Sequence, residues 1–381
     1  MATQVEIAQE SKLGSRNPAT GEVLGELECA TPADVNGAVA RARAAQREWA
    51  QTPVQRRAQV LRNFQQLLVQ QKKEVAELIA REAGKPCVEA LLTEIIVALD
   101  AAKFCASETH RFMRPEPVPH GNLLMKSKRG YLLREPHGVV GIIAPWNYPF
   151  SIPATQTFAA LITGNALVLK PSEFTPLIAL KLKALLDDAG LPQNVVQVVI
   201  GEGVTGAALC NAAIDKLVFT GSVATGRRVA QAAAARLLPV VLELGGKDAM
   251  LVLDDADVEG ASSAAVWGAF VNAGQTCLSV ERCFVHQNLY EKFVAACVAK
   301  TEKLKIGDGM DEATDIGPMI HQQQLRIVEG QVNEAIAQGA RLLTGAKRLP
   351  TLGENFYAPT VLADVHPGMR VMQEETFGPV L

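Results

Sequence analysis

From Val139 onward the sequence alternates short apolar runs, at 139–144, 166–169, 195–200, 216–219 and 239–243, with stretches of helical periodicity. Near-continuous apolar strands joined by helical crossovers predict a parallel sheet covered on both faces, an α/β arrangement whose ligands collect at the carboxyl ends of its strands. A second series follows: strand 249–253, helix 257–273, strand 280–286 and helix 288–304. The change of series sets a domain boundary near Gly245-Gly246. Folds of this kind host many chemistries, so function has to be read from side chains.

The segment before Val139 reads differently. Residues 17–28 alternate around Thr20-Gly21 and predict a short hairpin; Thr31-Pro32-Ala33-Asp34 then supplies an N-cap, a proline at the first helical position and an acid in the first turn. Helices are expected over much of 32–48, 54–83 and 88–112, with Gly84-Lys85-Pro86 breaking the second from the third. Between 118 and 135 two extended runs flank Ser127-Lys128-Arg129-Gly130 and predict a protruding β-hairpin. Two strands are marginal alone, so this hairpin is expected either to pair with another copy or to fold back on its own chain. After 322 the chain is helical, then extended to 345, and Asn355-Phe356-Tyr357-Ala358-Pro359 begins another strand. The sequence stops at Leu381 in mid-pattern, and the expectation is a C-terminally truncated product.

Charge narrows the partners. There are 37 basic and 40 acidic residues, interspersed without long like-charge blocks, so neither nucleic acid nor an anionic membrane is expected to bind. Met1 to Gly14 lacks the pattern of a signal peptide, and no apolar stretch is long enough to span a bilayer, which predicts a cytoplasmic location. The seven cysteines are scattered and never spaced as metal ligands. Reduced thiols and no metal site follow, so a functional cysteine would act as a thiolate.

Several stretches carry side chains suited to chemistry. Phe270-Val271-Asn272-Ala273-Gly274-Gln275-Thr276-Cys277 places Cys277 on a helix-to-strand connection, where reactive groups commonly sit; the ordinary alternative is a buried inert thiol. In Leu242-Glu243-Leu244-Gly245-Gly246-Lys247 an acid ends an apolar strand, and a carboxylate embedded there is expected to hold its proton more tightly and to suit a general base. Prolines on both sides of Trp146-Asn147-Tyr148 can hold Asn147 as a rigid amide donor for an oxyanion, or simply shape a turn. Lys170-Pro171-Ser172-Glu173 closes a strand, where the acid could take ribose hydroxyls and the lysine a ribose or phosphate; a solvated charged turn is the alternative. Phe219-Thr220-Gly221-Ser222, with Gly226 four further on, offers backbone N–H groups at a helix start to a pyrophosphate, or is an ordinary capped helix. Gly201-Glu202-Gly203-Val204-Thr205-Gly206 fits a dinucleotide fingerprint but lacks the acid expected about 20 residues later.

Taken together these stretches resemble the NAD(P)-dependent aldehyde dehydrogenase superfamily from about Asn17 to the last residue. The glutamate signature Leu-Glu-Leu-Gly-Gly-Lys and the cysteine signature ending at Cys277 carry most of the resemblance; Pro-Trp-Asn-Tyr-Pro, Lys-Pro-Ser-Glu, Phe-Thr-Gly-Ser and Glu374-Glu375-Thr376-Phe377-Gly378-Pro379 follow the family's order. The resemblance implies a nucleophile at Cys277, an oxyanion donor at Asn147 and a general base at Glu243. It implies cofactor contacts at Trp146, Lys170, Ser172, Glu173, Gly221, Ser222, Gly226, Glu375 and Phe377, with the last two holding the nicotinamide ribose. NAD is the implied cofactor, since Glu173 would repel a 2′-phosphate, although NADP use occurs among such relatives.

The implied architecture is a NAD-binding domain over 1–117 and 136–245, an oligomerisation hairpin over 118–135, and an α/β catalytic domain over 246–381 that is incomplete at its C-terminus. The implied activity is oxidation of a small-molecule aldehyde to the acid, by a homo-oligomer in full-length members. Two rivals stand beside it: an acyl-transferring relative using coenzyme A or phosphate, which Glu243 disfavours, and a non-catalytic protein on the same fold. Nothing in the sequence selects the aldehyde.

Overall fold

In the computed structural model, residues 11–381 are described; most of the polar start, Met1 to Glu10, lies outside them. A hairpin of β1 (Lys12–Arg16) and β2 (Val23–Glu28) opens the chain, pairing Lys12 with Glu28. Its first strand thus precedes the expected 17–28. The turn is longer than Thr20-Gly21 because the Asn17 carbonyl takes Gly21 N–H and its side chain takes Ala19 N–H.

Four helices follow: α1 (Pro32–Gln51), α2 (Val54–Gln70), α3 (Lys72–Ala83) and the short α4 (Cys87–Ala90), which runs through a π-helical turn, Leu91–Ile95, into α5 (Ile96–Phe112). Thr31 and Asp34 form a reciprocal capping box at the start of α1. Gly84, at φ 81°, ends α3 as expected, whereas Gln71 also interrupts the run read as one helix over 54–83. The protrusion is smaller than expected. Strands β3 (Glu116–Val118) and β4 (Gly130–Leu132) pair over three residues each, and a 3-10 turn, Leu123–Met125, fills the connection. β3 begins ahead of the expected 118–135, and Pro119, with no N–H to donate, ends it at Val118.

The alternating region folds as its pattern demands. Strands β5 (Val139–Ile143), β6 (Ala166–Lys170), β7 (Val196–Val198), β8 (Lys216–Gly221) and β9 (Val240–Leu244) form one parallel sheet in the order β7-β6-β5-β8-β9. Helices α6 (Ser151–Ile162), α7 (Pro176–Asp188), α8 (Gly203–Asn211) and α9 (Val223–Ala234) make the crossovers. β5 is central, and the chain builds outward from it first to one side and then to the other. The strand order therefore reverses between β5 and β8, and a crevice opens beyond their carboxyl ends.

Beyond β9 come β10 (Ala249–Val252), α10 (Val258–Phe270), β11 (Arg282–Val285) and α11 (Tyr290–Thr301), with β10 and β11 parallel. Then follow α12 (Gln322–Ala337), β12 (Arg341–Thr344), β13 (Val361–Ala363) and the short α13 (Arg370–Gln373). The strand expected from Asn355 begins only at Val361, because 346–360 makes isolated bridges instead. Buried apolar side chains fall into two clusters, one drawn from Val35 to Val229 and one from Val252 to Val380. Among the described residues no helix is long and apolar enough to cross a membrane.

A buried carboxylate joins the helical layer to the sheet's crossovers. Glu82 on α3 accepts Ser15 Oγ at 2.7 Å and the first-turn N–H groups of α7, Leu177 and Ile178, at 2.8 Å each. It caps a helix whose own N-cap, Thr175, makes no side-chain cap. Glu82→Ala orphans two buried donors and is expected to lower stability by about 2–4 kcal/mol, read from denaturant midpoints. Burial pushes this carboxyl up to about 7. Between the ordinary carboxylate range and that value the folded chain keeps a proton that the unfolded chain releases, so its contribution to stability falls as pH rises through the window. Glu82→Gln should flatten that part of the stability–pH curve.

Candidate active site

The crevice beyond β5 and β8 continues into two adjoining cavities that share Pro145, Trp146, Thr220, Gly221 and Ser222. The first, about 410 Å³, is lined by Lys170, Ser172 and Glu173 after β6, by Gly203 and Gly206 at the start of α8, and by Arg228. Lys170 is buried, with its Nζ 3.4 Å from Glu173. Burial pulls its ammonium down in pKa while the Glu173 carboxylate works against that. Ser222 caps α9 by accepting Thr225 N–H at 3.3 Å. The Gly201–Gly206 stretch therefore does face the cavity, through Gly203 and Gly206, and Glu173 lines the same cavity.

Gly226 is placed otherwise than the sequence suggested. It is buried inside α9, and a Cβ there would come within 2.5 Å of Leu244. Its smallness lets α9 lie close on β9, so it shapes the crevice without lining it.

The second cavity, about 390 Å³, gathers residues far apart in sequence: Asn147, Glu243, Cys277, Glu375 and Phe377, with Trp146 at its mouth. Trp146 meets Phe377 edge-on at 5.3 Å between ring centroids. Cys277 is half-buried, with Leu278 exposed beside it. Burial first, then the negative charges of Glu375, Asp248 and Glu243, push its thiol up in pKa, against the help of its own backbone N–H.

Glu243 corrects an expectation. Its side chain is exposed, not embedded, because β9 is the edge strand and Leu242 and Leu244 take the face packed against the first core. Burial pushes the Glu375 carboxyl in the same cavity up to about 7, with the Glu281 charge adding to the rise and the Gly246 N–H and Lys247 opposing it. Glu375 lies on the Gly245-Gly246 bend, where a Cβ on Gly245 would stand 2.1 Å from a carboxylate oxygen. A side chain at 245 would push that carboxylate off the bend.

The backbone before Cys277 is unusual. Helix α10 ends at Phe270, short of the expected 273, because Asn272 and Ala273 adopt φ of 53° and 54° and Gly274 follows at 71°. Left-handed non-glycine residues cost of order 1–3 kcal/mol each and persist only where neighbours impose them. Here Asn272 N–H donates to Glu89 at 2.9 Å, Asn272 Nδ2 donates to the Asn147 and Gln275 carbonyls at 3.0 and 3.1 Å, and Gln275 is tied to Ile320 N–H at 2.9 Å. A Cβ on Gly274 would stand 2.1 Å from the Gly378 carbonyl oxygen, so the two segments cross backbone to backbone.

Residues that sequence reading passed over hold the Asn147 loop. Lys85 and Glu94, both side chains fully buried, are 2.7 Å apart; Lys85 Nζ also donates to the Asn147 carbonyl at 2.7 Å and lies 3.9 Å above the Tyr148 ring. Glu94, placed by the π-helical turn, accepts Phe150 and Ser151 N–H at 3.0 and 2.8 Å. Tyr148 Oη and Thr276 Oγ1 are 2.8 Å apart, and Asn147 Nδ2 donates to Gln275 O at 3.1 Å, leaving its second N–H for another acceptor. Lys85 looked like part of a helix break; only its burial beside Glu94 gives it this part. Among the described residues no His, Cys, Asp or Glu cluster suits a metal ion.

Comparison with known proteins fits this geometry. The aldehyde dehydrogenase family pattern matches residues 5–381. The chain is 41% identical over 366 residues to a 4,4'-diapolycopene aldehyde oxidase of Methylomonas sp, covering 96% of this chain and 68% of that protein. It is 40% identical over 381 residues to betaine aldehyde dehydrogenase 1 of Rhizobium meliloti, covering 99% and 77%. Its fold superposes with TM-score 0.93 and 36% identity on the NAD+ complex of an aldehyde dehydrogenase from Bacillus cereus, covering 97% of this chain and 75% of that one. An NADP-dependent enzyme of E. coli superposes equally, TM-score 0.93 at 35% identity over 97% and 76%. The chain belongs to the aldehyde dehydrogenase family, oxidoreductases that act on aldehydes with NAD or NADP.

Proposed function

We propose that this chain oxidises aldehydes to carboxylic acids through a covalent adduct on Cys277, with Asn147 as oxyanion donor and Glu243 as general base. One observation carries the reading: these three residues line a single cavity of about 390 Å³ together with Glu375 and Phe377. The Cys277 thiol must first ionise, since the thiolate is the nucleophile. It then adds to the aldehyde carbonyl, and the oxyanion formed is met by the free N–H of the Asn147 amide and by the Cys277 backbone N–H. A bound nicotinamide supplies the acceptor for the hydride that leaves the adduct carbon. The acyl group is then a thioester on Cys277. Glu243, exposed at the cavity wall, takes a proton from the water that attacks it; the acid departs and the sulfur is regenerated.

The residues present fit the dinucleotide. The cavity beside α8 and α9 offers Lys170 and Glu173 to a ribose and the Ser222 end of α9 to a pyrophosphate, while Trp146, Glu375 and Phe377 border the nicotinamide side. Glu173 favours NAD, because its carboxylate would face a 2′-phosphate. The short β3–β4 protrusion exposes Leu123, Leu124, Tyr131 and Leu133 in one region, and a second copy of the chain is the partner inferred to cover them.

NADH formation with a panel of aldehydes tests the reading, and Cys277→Ser should abolish it. Asn147→Ala should reduce kcat by about 10²–10³. Glu243→Gln should give one NADH per chain and then stall, since only acyl release needs the base; continued turnover in that variant would assign the base elsewhere. A second measurement follows the thiol alone. Alkylation of Cys277 by iodoacetamide without NAD should rise roughly tenfold per pH unit until the raised thiol pKa is passed. Glu375→Gln, which removes the largest negative influence on that thiol, should speed labelling several-fold near neutral pH while weakening NAD binding.

A further inference from the structure

The segment that carries Glu375 and Phe377 is held neither by a sheet nor by a helix. Side chains from three other places saturate its backbone. Glu281, buried just before β11, accepts the N–H groups of both Thr376 and Phe377 on one carboxylate oxygen at 2.9 Å each. Its other oxygen lies 2.7 Å from Lys247 Nζ, with both side chains almost fully buried. Lys247 also donates to Thr376 Oγ1 at 2.9 Å, and that hydroxyl donates to Gln331 Oε1 at 2.8 Å. Gln324 Nε2 reaches the Thr376 and Phe377 carbonyls at 3.1 and 3.2 Å.

Lys247 ends the bend Glu243-Leu244-Gly245-Gly246, which is the surface on which the Glu375 carboxylate rests. The Glu281–Lys247 pair thus fastens the bend bearing Glu243 to the segment bearing Glu375 and Phe377. A shorter or neutral side chain at 281 could not meet two backbone donors and an ammonium at once. Two cavity walls from distant parts of the chain share one buried charge pair, and losing either partner leaves the other buried and unpaired.

We propose that Glu281 is a positioning residue for the nicotinamide half of the cofactor: paired with Lys247, it sets Glu375 and Phe377 at the height that a bound ring and ribose require. This rests on the reading of Glu375 and Phe377 as cofactor residues. Glu281 touches neither cofactor nor aldehyde, so its loss should register in NAD affinity and not in the intrinsic reactivity of the thiol.

The test uses the full chain and four variants: Glu281→Ala, Glu281→Gln, Lys247→Gln and the Glu281→Gln/Lys247→Gln double. NAD binding is titrated by tryptophan fluorescence, since Trp146 meets Phe377 edge-on, and by protection of Cys277 from iodoacetamide. Glu281→Ala should weaken NAD binding by roughly ten- to a hundredfold and Glu281→Gln by less. Both should shift the NAD-free tryptophan spectrum, yet leave the limiting NAD-free alkylation rate, reached above the raised thiol pKa, within about twofold of the parent, since moving Glu375 alters how readily the thiol ionises and not how the thiolate reacts. The double variant, which replaces the ion pair with a neutral amide pair, should recover part of the affinity lost in each single one. Variants that bind NAD like the parent overturn the proposal; so does a parallel loss of NAD affinity and of the limiting alkylation rate, which would mark Glu281 as a general support of the fold. A parent chain that binds no NAD at all would instead overturn the reading of the site, and this proposal with it.

Discussion

One oxygen atom fixes the geometry on which the site depends. The Asn147 carbonyl receives Lys85 Nζ from the helical layer and Asn272 Nδ2 from the segment leading to Cys277. The first donor belongs to a fully buried ion pair, so its position is set by the whole first core; the second belongs to a residue in a left-handed conformation of its own. Removing either partner of such a buried pair typically costs 3–5 kcal/mol, because the remaining charge is left without compensation. The amide proposed to meet the oxyanion and the loop carrying the sulfur are therefore referenced to the same point.

Electrostatically the cavity is divided. Its thiol side is negative, with Glu243, Glu375 and Asp248 all raising the proton affinity of Cys277. Cations lie outside it: Lys247 is engaged by Glu281 and Lys85 by Glu94. A resting thiol in such surroundings is protected from casual oxidation, since the neutral form is the less reactive one. Burial also lifts the Glu375 carboxyl toward neutrality, to about 7.

Much of this was legible in the chain itself, for identifiable reasons. The five strands of the main sheet read clearly because both faces are buried and the apolar runs are unbroken. The motifs around Asn147, Lys170, Ser222 and Glu243 announced themselves because each follows or ends a strand near glycine or proline, and that around Cys277 because it leaves a helix through Gly274. What stayed hidden depends on tertiary neighbours. Glu243 looked embedded because Leu242 and Leu244 flank it, but alternation on an edge strand sends it the other way. Gly226 looked like part of a phosphate loop and is instead a packing allowance for Leu244. Lys85, Glu94 and Glu281 carry no local pattern that gives them a role, and Lys247 was read only as the end of the Glu243 signature; each is an ordinary charged residue until the fold sets its partner beside it in the interior.

The crossing of Gly274 and Gly378 has a mechanical meaning. At most contacts between segments, side chains act as springs and absorb small shifts by changing rotamer. Here two bare main chains touch, with no such cushion between them, and Val328 fills the space on the far side of Gly378. A side chain at either position would pry the two main chains apart, so the Phe377 segment and the stretch that ends at the sulfur stay in register only while both crossing points are bare.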